Sequence, residues 1–297
     1  AEQGRVALTG LQIEARPVIE LTGTTSARIQ SGDVTVRTAD GRLLLGASGE
    51  ATRTAGAGLQ GAMTFTLEVA ALATQPLFAG AQAVSAGRAS GEVRAALGVG
   101  NQLEARLTVN GLVTAATNET LPVANLSFRA VAHPNGKISV QAPLLLDRAG
   151  QRSDLNFSLE ATPAGRGYAL DGNLTGGQVE LDDAMAVLGV FAAAAGDQPV
   201  PAQTAPLTGA PDTAPFWSRL TGRLALDIKS IARGADWAMT GLSGQVVIAP
   251  TDITLPTLAA TFGEKGRFTA KGQIRFASGP QPYVLTGDFS LTEFDAG

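Results

Sequence analysis

Along most of its length this chain alternates apolar and polar residues one by one. A period of two is the side-chain period of a β-strand, whose successive residues point to opposite faces. In "LTGRLALDIKSI", residues 220–231, Leu220, Gly222, Leu224, Leu226 and Ile228 share one parity. Thr221, Arg223, Ala225, Asp227 and Lys229 hold the other. The segment reads as a strand with one greasy face and one wet face. Gly222 is the odd member, because glycine weakens a strand yet here sits among the apolar residues.

The same alternation recurs. "GAMTFTLEVAAL" places Met63, Phe65, Leu67 and Val69 together against Thr64, Thr66 and Glu68. "QLEARLTVNGLV" sets Leu103, Leu107, Val109 and Val113 against Glu104, Arg106 and Thr108. "GKISVQAPLLL" and "DLNFSLEAT" behave alike. So do "RFTAKGQIRF", with Phe268, Ile274 and Phe276, and "YVLTGDFSL", with Leu285, Phe289 and Leu291. About fifteen strands follow, many longer than the common five or six residues. Short turns rich in Gly, Pro, Asn or Asp, such as "HPNGK", separate them and imply an antiparallel meander. In "MTGLSGQVVI" the apolar parity changes midway, which a β-bulge near Gly241 explains. "LTG" recurs six times, at 8–10, 21–23, 174–176, 207–209, 220–222 and 285–287, as a degenerate one-strand repeat.

One region breaks the pattern. "VELDDAMAVLGVFAAAAG" loses alternation and reads as a helix over about 182–195, capped by Asp182 or Asp183. A segment with Pro199, Pro201, Pro206, Pro211 and Pro215 follows and reads as a flexible loop. The expected organisation is a repetitive β segment 1–181, a helix-plus-loop excursion 182–215, and a β segment 216–297 continuing the first sheet.

Composition narrows the function. There are 22 Lys and Arg against 26 Asp and Glu, a net charge of −4, and no basic block, so nucleic acid is not an expected partner. With no Cys and a single His, His133, zinc sites and nucleophilic triads have no basis. His133 lies in the turn-like "HPNG" and reads as a surface loop residue. "GAGLQG", 56–61, has the spacing of a dinucleotide loop but precedes a strand, where the fingerprint must open a helix. "LDD", 181–183, suits a helix start better than paired catalytic carboxylates. No enzyme, cofactor or metal is expected. The longest apolar run, within 184–196, is too short to span a bilayer as a helix.

The polar residues are dispersed, so the apolar face is the informative surface. It fits three arrangements: the core of a sandwich or filled barrel, an open trough for apolar ligands, or the lipid-facing side of an outer-membrane barrel. The last lacks aromatic girdles. A trough suits a lining of Leu, Val, Ile, Ala, Phe and Gly with few bulky aromatics. Fifteen strands would make a strip on the order of 70 Å long.

Residues 216–297 resemble the C-terminal β region of the AsmA-like family of bacterial envelope proteins, a style shared with TamB-type relatives. The resemblance lies in an ordered run: "GRLALDIKSI", then "MTGLSGQVVIAPTDITLPTLAATF", a Gly turn, "GRFTAKGQIRF", a Pro turn and "YVLTGDFSLTEFD". "LTGGQVELDDAMAVLG" and the Pro-rich loop are similar to that family's short helix and variable insertion. Over the first 180 residues only the repetitive β character agrees. The resemblance implies an all-β fold: a long antiparallel meander curled into an elongated groove, with one short helix and a Pro-rich loop. It further implies a periplasmic protein that conducts phospholipid between inner and outer membranes, anchored to the inner membrane by a segment outside this chain. Its partners would be phospholipid acyl chains and other envelope proteins.

The expected groove lining is Phe65, Leu67, Val69, Leu107, Val109, Leu224, Leu226, Ile228, Phe268, Ile274, Phe276, Leu285, Phe289 and Leu291. The competing class is a non-enzymatic structural or assembly protein, whose sheet edges and polar faces contact envelope partners in outer-membrane protein biogenesis.

Overall fold

The structure is a computed structural model. It describes residues 10–22, 26–54, 56, 58–73, 84–98, 101–115, 117–187, 214–215, 217–234, 237–263, 265–276 and 283–293. The chain is all-β, and fifteen strands join in chain order in one sheet that does not close. The strands are β1 (Leu11–Thr22), β2 (Ser26–Thr38), β3 (Leu43–Thr54), β4 (Gly58–Glu68), β5 (Val84–Leu97), β6 (Asn101–Thr114), β7 (Val123–Ala132) and β8 (Ile138–Arg148). They continue with β9 (Gln151–Ala164), β10 (Gly167–Glu180), β11 (Leu220–Arg233), β12 (Trp237–Ile248), β13 (Asp252–Phe262), β14 (Gly266–Phe276) and β15 (Tyr283–Thr292).

Among the described residues, two helices punctuate the strands. Helix α1 (Val69–Ala73) follows β4, where a strand carried through Val69 is expected from the alternation. "VAALA" has no polar member to continue the two-residue period, and Ala and Leu favour a helical turn. Helix α2 covers residues 181–187, and its expected continuation to 195 lies outside the described residues, as does most of the Pro-rich loop. Asp182 and Asp183 lie inside the first turn of α2 rather than capping it. Asp182 pairs with Arg233 at 3.0 Å and Asp183 with Arg148 at 2.6 Å.

Antiparallel registers join β1 through β6, β9 to β10, and β11 through β15. Among these registers the exception to the expected meander is β10–β11, which is parallel, with Tyr168 opposite Leu220 and Leu174 opposite Leu226. A parallel neighbour needs a connection of a dozen or more residues to bring the chain back to the starting end. The 181–219 excursion supplies it, so β11 continues the sheet that β10 leaves.

Two compact units divide the chain. The first comprises residues 1–131, 146–150 and 183–202, the second residues 132–145, 151–182 and 203–297. In the first, buried side chains gather at one end of the sheet. Val36, Leu44 and Ala71 form one cluster, with Leu11, Leu45, Leu67 and Leu72 against it. Val84, Leu112 and Leu121 form another, with Val69, Val109 and Ala186. In the second unit, Trp217 stacks at a tilt on Tyr283, and Trp237 meets Phe262 edge to face.

Registers that break do so where the hydrophobic parity breaks. The β12–β13 ladder shifts between Thr240 and Ser243, around Gly241 at φ 63°, so Met239 faces Phe262 while Gly244 faces Leu258. This is the bulge that the parity change in "MTGLSGQVVI" requires. A shift opposite Val18/Ile19 likewise keeps Ile29 on the face of Val34 and Val36.

Candidate functional site

Directly opposed residues in neighbouring strands share a face, so the registers assemble the faces residue by residue. In the first unit, Phe65 lies opposite Gly91, which lies opposite Leu107; Leu67, Ala89 and Val109 form the adjacent row. The next rows are Gly49–Met63–Val93–Ala105 and Ala51–Gly61–Ala95–Leu103. The Phe65 ring lies over Gly91, where an added Cβ would meet it at 3.0 Å. An aromatic ring covering a strand glycine restores contacts that the missing side chain leaves unmade.

In the second unit one row runs Leu174, Leu226, Gly244, Leu258, Ala270, Phe289. Ile248, Ile253, Ile274 and Leu285 form another, Phe268 faces Leu291, and Phe276 faces Tyr283. Leu224 and Ile228 extend the face along β11. The expected lining residues of 216–297 therefore share one face. So do Phe65, Leu67, Leu107 and Val109 in the first unit. Val69 does not belong with them, because it opens α1 and packs against Val84, Leu112 and Leu121.

Exposure distinguishes a core from a face. Both sides of a packed sandwich centre are buried, but here Phe65, Leu107, Leu224, Leu226, Phe268, Ile274 and Phe276 are only half-buried. Met63, Leu59 and Leu97 are 40–47% exposed, and Leu285 and Phe289 reach 77% and 80%. Ile228 is buried. All fifteen strands belong to one sheet, so no second sheet among the described residues lies across this face. Monomeric soluble proteins rarely leave such continuous apolar surface exposed.

The opposite parity is laced by cross-strand polar pairs. Arg88 meets Glu68 at 2.7 Å, Arg129 meets Glu104 at 3.4 Å, and Lys271 meets Asp288 at 3.3 Å. Asp171, opposite Arg223, is held below the usual carboxylate range by hydrogen bonds from the guanidinium and by its charge. Asp252 is lowered chiefly by the Thr251 hydroxyl and also by Arg275. Asp154 is lowered by the backbone N–H groups of Gln178 and Gly177, both at 2.9 Å. Exposed pairs of this kind each contribute little to stability. They mark the polar parity.

Open depressions on this polar side measure about 570 Å³ near Arg28, Glu50, Gln60, Arg94 and Glu104, and about 760 Å³ near Lys271, Gln273, Thr286 and Asp288. Their lining mixes both charges with amides and brings no reactive set together. His133 is exposed in its turn, with Nε2 3.1 Å from the Ser139 hydroxyl. Among the described residues, no group of three or more His, Cys, Asp or Glu could hold a metal, and no helix is long and apolar enough to cross a membrane.

Reading the sequence for apolar parity missed Arg53, at the end of β3. Arg53 lies opposite Ala27 and Leu59, on the apolar parity. The signal was present in "GEATR", where Gly49, Ala51 and Arg53 share a parity. No family model, curated protein or solved structure matches the chain.

Proposed function

We propose that the apolar face binds lipid acyl chains, and that the protein handles phospholipid in the bacterial envelope between inner and outer membranes. One observation carries the reading: within each unit an apolar face, assembled by register and largely half-buried, lies on strands whose other parity is laced with ion pairs. Alkyl chains gain about 0.8 kcal/mol per buried methylene, so such a face holds them without specific polar contacts. The envelope setting rests on the resemblance of 216–297 to AsmA-like proteins, as do phospholipid as cargo and periplasmic residence by way of an inner-membrane anchor.

The test is organic extraction and mass spectrometry of protein purified without detergent. Stoichiometric, co-purifying phospholipid that is lost in Leu226→Glu supports the reading. A folded Leu226→Glu protein carrying wild-type amounts of lipid sinks it. A protein free of lipid after gentle purification, and unable to take it up from vesicles, favours the structural or assembly role instead.

A further inference from the structure

We infer that Arg53 marks where the charged head of a bound lipid sits, and that the acyl chains run from there towards α1. This rests on the acyl-binding reading above and adds an orientation and a headgroup class to it.

Three observations support it. Arg53 is the only charged side chain on the apolar parity of β1 through β6, where every other Arg, Lys, Asp or Glu in a register falls on the polar parity. It is exposed, and no ion pair or hydrogen bond engages it among the described residues. On the polar side Arg88 and Arg94 find carboxylates, while Arg28 and Arg106 do not among the described residues, so what sets Arg53 apart is its place on the apolar parity. A guanidinium left unpaired beside Leu59 suits an anion delivered on an apolar body, since its fork matches phosphate oxygens two at a time.

The face also has a direction. At the α1 end Val36, Leu44 and Ala71 are closed together at 5–9% exposure. At the Arg53 end Leu59, Leu97 and Leu103 stand 39–47% exposed. From Leu59 to Leu67 the strand runs roughly 27 Å at 3.4 Å per residue. Acyl chains in one bilayer leaflet occupy about 15 Å. A chain therefore fits with its methyl end towards the roofed end and its phosphate at Arg53. Reversal would put the phosphate against the α1 cluster, where burying an unpaired charge is costly.

Two vesicle-transfer titrations test this, using phosphatidylglycerol and diacylglycerol with identical chains. The wild type is expected to bind phosphatidylglycerol more tightly. Arg53→Gln should remove about five-fold of that preference, Arg53→Glu should remove more, and Arg53→Lys should restore part of it. The chain has no cysteine, so Ala27→Cys and Ala47→Cys can each be labelled singly with a fluorophore. A lipid brominated at its chain ends should quench the label at position 47 more than at 27.

If both lipids bind but Arg53→Gln keeps the full preference, or the quenching order is reversed, the headgroup placement is wrong while acyl binding stands. If neither lipid binds the wild type, the acyl-binding reading fails, and the placement with it. If glycerol phosphate alone competes at micromolar concentration, Arg53 belongs to a site for a soluble phosphate and the lipid orientation is overturned.

Discussion

Gly222 shows why single residues in this sheet are not interchangeable. At φ 140° it occupies a backbone region that side-chain-bearing residues rarely adopt, and an added Cβ would stand 1.9 Å from the Leu170 carbonyl oxygen. The glycine is required by the close parallel approach of β10. Gly222→Ala should cost roughly 2–3 kcal/mol, seen as a lowered urea midpoint with faster amide exchange along β10 and β11. Asp154 is a second such position. Its carboxylate accepts from the Gly177 and Gln178 N–H groups, which continue past the last regular β9–β10 pair at Thr175. Because its folded pKa lies below the unfolded value, its contribution is complete above about pH 4 and disappears as acid protonates the folded carboxylate. Asp154→Asn should therefore destabilise the protein by about 1 kcal/mol at pH 7, and by progressively less below pH 4. An equal deficit at pH 7 and pH 3 in urea titrations would assign the effect to packing instead. Neither role was legible in the sequence, because both glycine contacts and the carboxylate's partners come from strands brought together by pairing.

Among the strands, β11 and β15 carry the same alternation in sequence but different environments. Leu226 sits between Leu174 and Gly244 with neighbours on both sides. Phe289 has only Ala270 across from it, because β15 ends the strand order. Leu226→Glu should then lower stability by about 1–2 kcal/mol, well short of the cost of a charge in a closed core, and abolish acyl binding. Phe289→Asp should leave thermal stability within about 0.5 kcal/mol of wild type. It should also reduce self-association, since an exposed apolar edge strand invites pairing with other chains. Calorimetry and sedimentation check the two expectations. Unfolding of Leu226→Glu at room temperature would restore the packed-core alternative. Period-two patterning identified these strands and the bulge at Gly241, because burial of one face fixes register. It failed at Val69, where a short apolar run carries no parity at all, and at β10–β11, where strand direction depends on a connection rather than on either strand.

For the whole molecule the consequence is a native state with accessible apolar surface. A hydrophobic dye should bind the fully folded protein at pH 7, with intact near-ultraviolet dichroism, and acyl lipid should displace it. Dye binding only in unfolding conditions would mean that the face is covered in the native protein. Most members of the apolar faces were legible beforehand because alternation names the members of a face: Leu226 and Phe289, or Phe65 and Leu107, needed only their parity. Arg53 was legible by the same rule but meant nothing until its register placed it opposite Ala27 and Leu59. The sequence by itself determined an all-β chain with one apolar and one polar side, because side chains alternate along any strand whatever its partners. Only the tertiary structure decided which strands became neighbours, where a parallel pair entered, and that no second sheet among the described residues covers the apolar side. Those outcomes depend on contacts between residues far apart in the chain, which a local period of two does not encode.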